Sequence, residues 1–152
     1  MTPERLEEIK KKLGSLVKNT VVKSPRRIYL YVEPEDSFKA NKIMFEELKA
    51  RLCTASGIDT RSSIEILYHW GFDDDHCVLT VKTQAPKPFP EIESIAQFLK
   101  GAEWIEREIT ELLGVTFRNH PKPGHLVLDD NWPQGLYPLR KDFDQIKRGF
   151  RE

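Results

Sequence analysis

Cysteine is nearly absent: Cys53 and Cys77 are the only two in 152 residues. Two thiols cannot furnish an all-cysteine iron–sulfur cluster or zinc site, each of which takes four. They are also too few for the cross-linked scaffold of a small secreted domain. No apolar run approaches the roughly 18 residues that read as a membrane span. The stretch Met1 to Lys12 is charged and lacks the apolar core of a secretory signal. Net charge is missing as well, because 24 Lys+Arg balance 24 Asp+Glu, whereas a nucleic-acid module is expected to be basic. No Walker A or G-x-G-x-x-G loop is present to cradle phosphates, and no G-x-S-x-G elbow presents a serine nucleophile. Neither cysteine has an evident histidine partner for nucleophilic catalysis.

What is present is one domain's worth of chain, on the usual ~100–200 residues per domain. Its 39% hydrophobic content supports a single sizeable core. These features predict a soluble, cytoplasmic protein. The zero charge hides unlike segments. Residues 1–33 carry 8 basic and 4 acidic side chains, residues 34–85 carry 6 and 9, residues 86–117 carry 3 and 6, and residues 118–152 carry 7 and 5. The last segment also holds 4 of the 10 prolines. A proline-broken stretch of that length is usually functional or a linker. It keeps Trp132, Tyr137, Leu139, Phe143, Ile146 and Phe150, a content that disordered tails lack. The pattern predicts a globular domain over 1–117 and an irregular, extended arm over 118–152 that needs a surface to lie on.

Thr2 and Pro3 form a helix start, and Leu6, Ile9, Leu13, Leu16 and Val17 recur at helical spacing, predicting a helix over 3–18. Ile28, Leu30 and Val32 alternate as a strand does. Asp36 or Ser37 can cap a second helix with a buried stripe of Phe38, Phe45, Leu48 and Leu52, bounded by Asn41 or Lys42 and ended by Gly57. Two alternating runs, Ile64 to Phe72 and Cys77 to Val81, flank a polar turn and predict a β-hairpin. Ile95 to Leu113 keeps one apolar face, interrupted by Gly101. The order predicts an α/β (α+β) fold, a small mixed β-sheet covered by helices.

Candidate chemistry is sparse. Asp73-Asp74-Asp75-His76 offers metal-ligand types, but aspartates favour polar turns for local hydrogen bonding alone. His69 reads as a packed or edge histidine. His120 and His125 are separated by Pro-Lys-Pro-Gly and cannot share a helix face as paired zinc ligands do. Arg26 to Tyr31 interleaves basic and aromatic residues, as nucleic-acid surfaces do, without the net charge to match. The densest feature is Glu103 to Glu111. Arg107 lies four residues from both Glu103 and Glu111, so its guanidinium can alternate between them on an exposed helix face. Paired carboxylates could also perform acid–base work.

Three pieces together resemble one family. Gly101-Ala102-Glu103-Trp104-Ile105-Glu106-Arg107-Glu108 followed by Glu111-Leu112-Leu113-Gly114-Val115 resembles the E-R-E helix of the thirty-kilodalton subunit of respiratory complex I, also known as its C subunit. His120-Pro121 follows at the spacing of that family's signature. Pro138-Leu139-Arg140-Lys141-Asp142-Phe143 is similar to its C-terminal P-L-R-K-D-F motif. Gly124 stands where a basic residue or proline is usual, and Glu111 where aspartate is commoner. The run Trp132-Pro133-Gln134-Gly135-Leu136-Tyr137 looks more like that of membrane-bound energy-converting [NiFe] hydrogenases than that of quinone-linked members.

The resemblance implies a non-catalytic accessory subunit with no cofactor of its own, in a membrane-bound, ion-pumping complex. It implies a position on the cytoplasmic side, peripheral, reaching the membrane only through the complex. The implied partners are the large [NiFe]-hydrogenase-like subunit and the iron–sulfur subunits of that complex, with no nucleic acid. The interface residues implied are Glu106, Arg107, Glu108, Glu111, His120 and Trp132, with Pro138, Leu139, Arg140, Lys141, Asp142 and Phe143. Alternatives from the residues alone are a free-standing metal-dependent enzyme using the Asp73–His76 turn, or an assembly factor. The C subunit of a quinone-reducing NADH dehydrogenase is the alternative within the family. The 32% charged content, above the usual ~25%, hints at a thermophile.

Overall fold

A computed structural model describes residues 1–144; Ile146 and Phe150 lie outside the described residues. Helix α1 spans Pro3–Leu13, with the Arg5 N–H donating to Thr2 Oγ1 at 3.3 Å as a cap. It stops short of the expected residue 18 because Gly14 takes a positive φ of 55°, which lets the chain turn out of the helix. A single turn at Gly14–Leu16 buries Leu16, and the chain continues as β1, Val17–Ser24. The apolar phase of Val17 therefore belongs to a strand.

Strand β2 is Arg27–Val32, and helix α2 is Pro34–Glu46. This helix is capped at Glu33, three residues before Asp36 and four before Ser37, with proline in its first turn. Its buried stripe is Ser37, Ala40, Asn41 and Met44. Phe38 and Phe45 stand at the margin, where both meet the Phe98 ring at centroid distances of 5.3 and 6.0 Å. The expected continuation to Gly57 is overturned. Lys49 adopts φ 54°, a left-handed conformation that breaks a helix, and Arg51–Asp59 forms strand β3. There Leu52 pairs with Trp70, so sheet pairing outweighs the helical spacing of Leu48 and Leu52.

Strands β4 (Ser63–Phe72) and β5 (Cys77–Pro86) form the expected hairpin, closed at Phe72 and Cys77. A short strand β6 (Glu91–Glu93), two one-turn segments (Ile95–Gln97 and Lys100–Ala102), helix α3 (Glu103–Leu113) and strand β7 (Thr116–Arg118) follow. The expected long helical face from residue 95 is thus a true helix only from Glu103. Beyond β7, residues 119–142 run in irregular turns.

The main sheet has the order β1-β2-β5-β4-β3, antiparallel except for the β2/β5 pair, and β6 and β7 pair in parallel. Ile9 and Leu13 of α1, Met44 of α2, and Ile109 and Leu113 of α3 enter one core with Leu30, Ile66, Tyr68, Trp70, Leu79 and Val81. The three helices therefore cover one sheet face. Asn41 anchors α2 to it by accepting from Trp70 Nε1 at 2.8 Å. Gly57 allows α3 to cross β3 closely, since a Cβ there would meet Leu113 and Ile109. Among the described residues, no helix is long and apolar enough to cross a membrane.

Candidate docking site on the third helix

Glycine at position 114 closes α3 in the left-handed conformation, φ 70°, which needs no Cβ. Upstream, the helix puts Trp104, Arg107, Glu108 and Glu111 along one side and turns Glu106 and Ile109 toward the sheet. The expectation of an exposed charge ladder fails here. Glu103, Glu106 and Glu111 are all buried. Arg107 pairs with neither expected glutamate; it donates to the carbonyls of Gly124 and His125 in the arm.

Each glutamate has a separate set of partners. Glu106 is fully buried and accepts from Tyr68 Oη at 2.8 Å, Ser94 Oγ at 2.5 Å and the Ile95 N–H at 3.0 Å. Burial pushes its carboxyl above the ordinary 4.5, and the bonds from Ser94, Tyr68 and Ile95 only partly offset that. Burial and then the neighbouring Glu106 push the Tyr68 hydroxyl well above its ordinary 10. Glu111 reaches outward along the arm. Its Oε1 accepts from the Leu126 N–H and its Oε2 from the Val127 N–H, both at 2.7 Å, and His125 Nδ1 lies 3.0 Å away. Burial would raise this carboxyl, but the N–H groups of Val127, Leu126 and Leu128 outweigh it and hold the group below 4.5. Lys122 Nζ lies 3.8 Å from Glu103.

His120 fixes the root of the arm. Its Nδ1 accepts from the Lys122 N–H at 3.1 Å, so Nε2 carries the proton and donates to the Glu103 carbonyl at 3.0 Å. The same Nε2 stands 3.8 Å from Glu106. At the far end, Arg140 donates to the Leu113 carbonyl at 2.7 Å and the Gly114 carbonyl at 3.3 Å. A cation on the last carbonyls of a helix is favourably placed against its dipole. Arg140 also covers the Tyr137 ring at 4.6 Å, and Trp132 stacks on Phe143 at 6.4 Å. The Lys141 N–H donates to Asp59 Oδ2 at 2.9 Å, and Lys87 Nζ stands 2.5 Å from Oδ1. Burial raises the Asp59 carboxyl, and the Lys141 N–H and Lys87 together overcome that and hold it below its ordinary value.

The sequence-predicted residues are thus brought together on α3 and the arm, though largely by contacts within this chain. Pro138 and Asp142 are half-buried in the arm, and Leu139 is exposed while its N–H donates to Leu112 O at 3.0 Å. Glu108 is half-buried beside the arm-facing residues of α3. Tyr68, Ser94 and Asp59 escaped sequence reasoning, because nothing local marks a tyrosine or serine as the partner of a glutamate 38 or 12 residues away. The apolar side chains open to solvent on this surface include Trp104, 69% exposed, Val127, 59% exposed, and Leu139, 60% exposed. At the Asp73 turn, Arg51 makes a two-pronged ion pair with Asp73 at 2.7 and 3.1 Å, which holds its carboxyl below the ordinary range. His69 bridges Ser56 and Thr80 at 3.2 and 2.9 Å, the packed arrangement expected. Among the described residues no three His, Cys, Asp or Glu side chains are grouped to hold a metal ion.

Comparison with known proteins gives a consistent picture. Residues 30–149 match the family model described as the respiratory-chain NADH dehydrogenase 30 Kd subunit. The chain is 35% identical to the C subunit of the F(420)H(2) dehydrogenase of Methanosarcina mazei, over 91% of this chain and 89% of that protein. It is 31% identical to the C subunit of the NADH-quinone oxidoreductase of Chloroherpeton thalassium, over 89% of this chain and 58% of that protein. Among solved structures, its fold matches a chain of the membrane-bound sulfane sulfur reductase, an archaeal respiratory membrane complex. That match has a TM-score of 0.78 and 24% identity, covering 98% of this chain and 91% of the other.

Proposed function

The chain belongs to the family of the 30 kDa subunit of respiratory-chain NADH dehydrogenase, and from that premise we propose that it is a non-catalytic docking subunit. In this reading it sits peripherally on the cytoplasmic side of a membrane-bound, ion-pumping complex. It seats α3 and the arm against the large [NiFe]-hydrogenase-like subunit, close to the iron–sulfur subunits. The observation that carries the proposal is that Trp104 of α3 and Val127 of the arm are both exposed on elements fastened to each other. Glu106 fixes the helix from beneath, and Glu111 and Arg107 tie the arm to it from above. An aromatic side chain held open to water on a preorganised surface suits a binding hot spot. The carboxylates that could have served as acids or bases are occupied as structural acceptors, which favours docking over chemistry.

The hydrogenase type of complex rests on the run Trp132 to Tyr137, in which Trp132 Nε1 donates to the Leu136 carbonyl at 2.6 Å. A second reading, a dehydrogenase of the F(420)H(2) or NADH-quinone type, is favoured by the names of the two relatives. Affinity purification from native membranes tests the proposal. It expects a large hydrogenase-like subunit and iron–sulfur proteins at one copy each per copy of this chain, and the accompanying subunits identify the type. Recovery of the chain alone under gentle detergent conditions overturns it, and recovery of partners only before assembly is complete assigns it instead to assembly.

A further inference from the structure

A second exposed apolar group lies away from Trp104, on the loop between β5 and β6. Phe89, between Pro88 and Pro90, is 85% exposed. The loop is nevertheless fastened at both ends. The Lys87 N–H donates to the Ser62 carbonyl at 2.9 Å, and the Pro90 carbonyl accepts from the Thr116 N–H at 2.9 Å. Lys87 Nζ adds a bond to the Thr60 carbonyl at 2.7 Å. A phenylalanine held out by a fastened backbone cannot lower its exposure by local collapse, so its apolar area stays in water until something covers it.

Asp59 connects this loop to the arm. One oxygen faces Lys87, two residues before Phe89, and the other accepts from Lys141, two residues after Leu139, which is itself 60% exposed. Around the two apolar side chains the charge is uneven. Residues 59–62, 87–89 and 139–142 supply the cations Arg61, Lys87, Arg140 and Lys141 against the carboxylates Asp59 and Asp142. Arg61 and Lys141 are exposed. The nearby Glu91 is occupied by Arg118 at 3.0 Å.

We infer that Phe89, with Leu139 beside the Asp59 junction, is an anchor that enters an apolar socket with an acidic rim on a neighbouring protein subunit of the same complex. With Lys87 paired to Asp59 and Arg140 seated on the α3 carbonyls, the exposed cations Arg61 and Lys141 select an acidic partner surface, since complementary potentials steer encounter and reject like-charged surfaces. The inference rests on the docking reading above and adds a second point of attachment to it, in which the β5–β6 loop, outside the E-R-E helix, joins the end of the arm.

The experiment places a photoreactive benzoylphenylalanine at position 89 of the tagged, full-length chain in its native host, and irradiates native membranes. The expected product is a covalent adduct to another protein subunit of the complex, mapped to a peptide with acidic residues beside an apolar site. In parallel, Phe89→Ala and Lys141→Glu are each expected to lower recovery of the complex at least tenfold at moderate salt, while the purified variants unfold at the wild-type temperature. Adducts confined to a second copy of this chain or to lipid overturn the inference, as does wild-type recovery with Phe89→Ala. A chain that recovers the complex through Trp104 but is indifferent to position 89 refutes the anchor alone. Failure of the unmodified chain to recover any complex refutes the docking reading, and the anchor with it.

Discussion

Tyr68 on β4 and Glu106 on α3 share a 2.8 Å hydrogen bond in a part of the core where both are fully buried. The bond joins sheet to helix across 38 residues of sequence and gives a buried carboxyl one of its three donors. Tyr68→Phe removes one donor and leaves the rest in place, at an expected cost of ~1–3 kcal/mol. Glu106→Ala is expected to cost more, because it orphans Tyr68, Ser94 and the Ile95 N–H together. Urea unfolding at unchanged slope reads both, and a Tyr68→Phe variant as stable as wild type refutes the account.

The two glutamates impose opposite pH dependences. Glu111 is held below its ordinary 4.5 in the folded chain, so its stabilisation is present above pH 4.5 and is lost as pH falls through the folded value. Glu106 is raised above 4.5, so its contribution is full below pH 4.5 and is lost as pH rises through the folded value. Melting temperature against pH should show a shallower acid-side loss in Glu111→Gln. Glu106→Gln should show a shallower loss on the side above pH 4.5. Identical profiles for wild type and both variants would contradict these assignments.

Gly114 tests how tightly the arm is seated. Its φ of 70° disfavours any side chain, and a Cβ there would run into the Tyr137 ring. Gly114→Ala is expected to lose ~1 kcal/mol or more and to speed proteolytic cutting between residues 119 and 144. Gly101→Ala, where φ is not positive and nothing lies within 4 Å, should match wild type in both assays.

Arg140 and Lys141 should separate although they are adjacent. The Arg140 side chain holds the last carbonyls of α3, so Arg140→Glu is expected to destabilise by ~1 kcal/mol or more. Lys141 contributes its backbone N–H to Asp59, which survives substitution, so Lys141→Glu should leave thermal unfolding unchanged. Equal losses in the two variants would rule out this division.

Trp104→Ala removes a largely exposed ring, and surface changes of this kind usually stay within about 0.5 kcal/mol. The variant should fold as wild type does yet recover less of the complex from native membranes. Full recovery would remove α3 from the docking surface.

The fold was legible where a pattern was strong and local. Alternation on both sides of Asp73–Asp75 disclosed the β4/β5 hairpin, and Thr2-Pro3 disclosed the start of α1. Strand β1 was not legible, because Leu13, Leu16 and Val17 continue a helical phase that only Gly14 interrupts. Strand β3 was hidden similarly, since Leu48 and Leu52 lie four apart and Lys49 gives no warning of its left-handed turn. The site followed the same rule. Its E-R-E and P-L-R-K-D-F residues stood out, but the burial of the glutamates depends on Tyr68, Ser94 and backbone N–H groups that no neighbouring residue announces.

The parallel pairing of β2 with β5 has a consequence for synthesis. Residues 27–31 are joined to the rest of the sheet through residues 78–82, their other neighbour being β1, so a nascent chain halted before Cys77 has a β1/β2 ribbon without a sheet to join. Two-stranded ribbons are at best marginal alone. Lys18 and Lys23 on β1 place charge on that waiting strand, a device that discourages edge-to-edge pairing with other chains. The same lysines stay on the outermost strand of the finished sheet, so protection needed during translation persists in the folded protein.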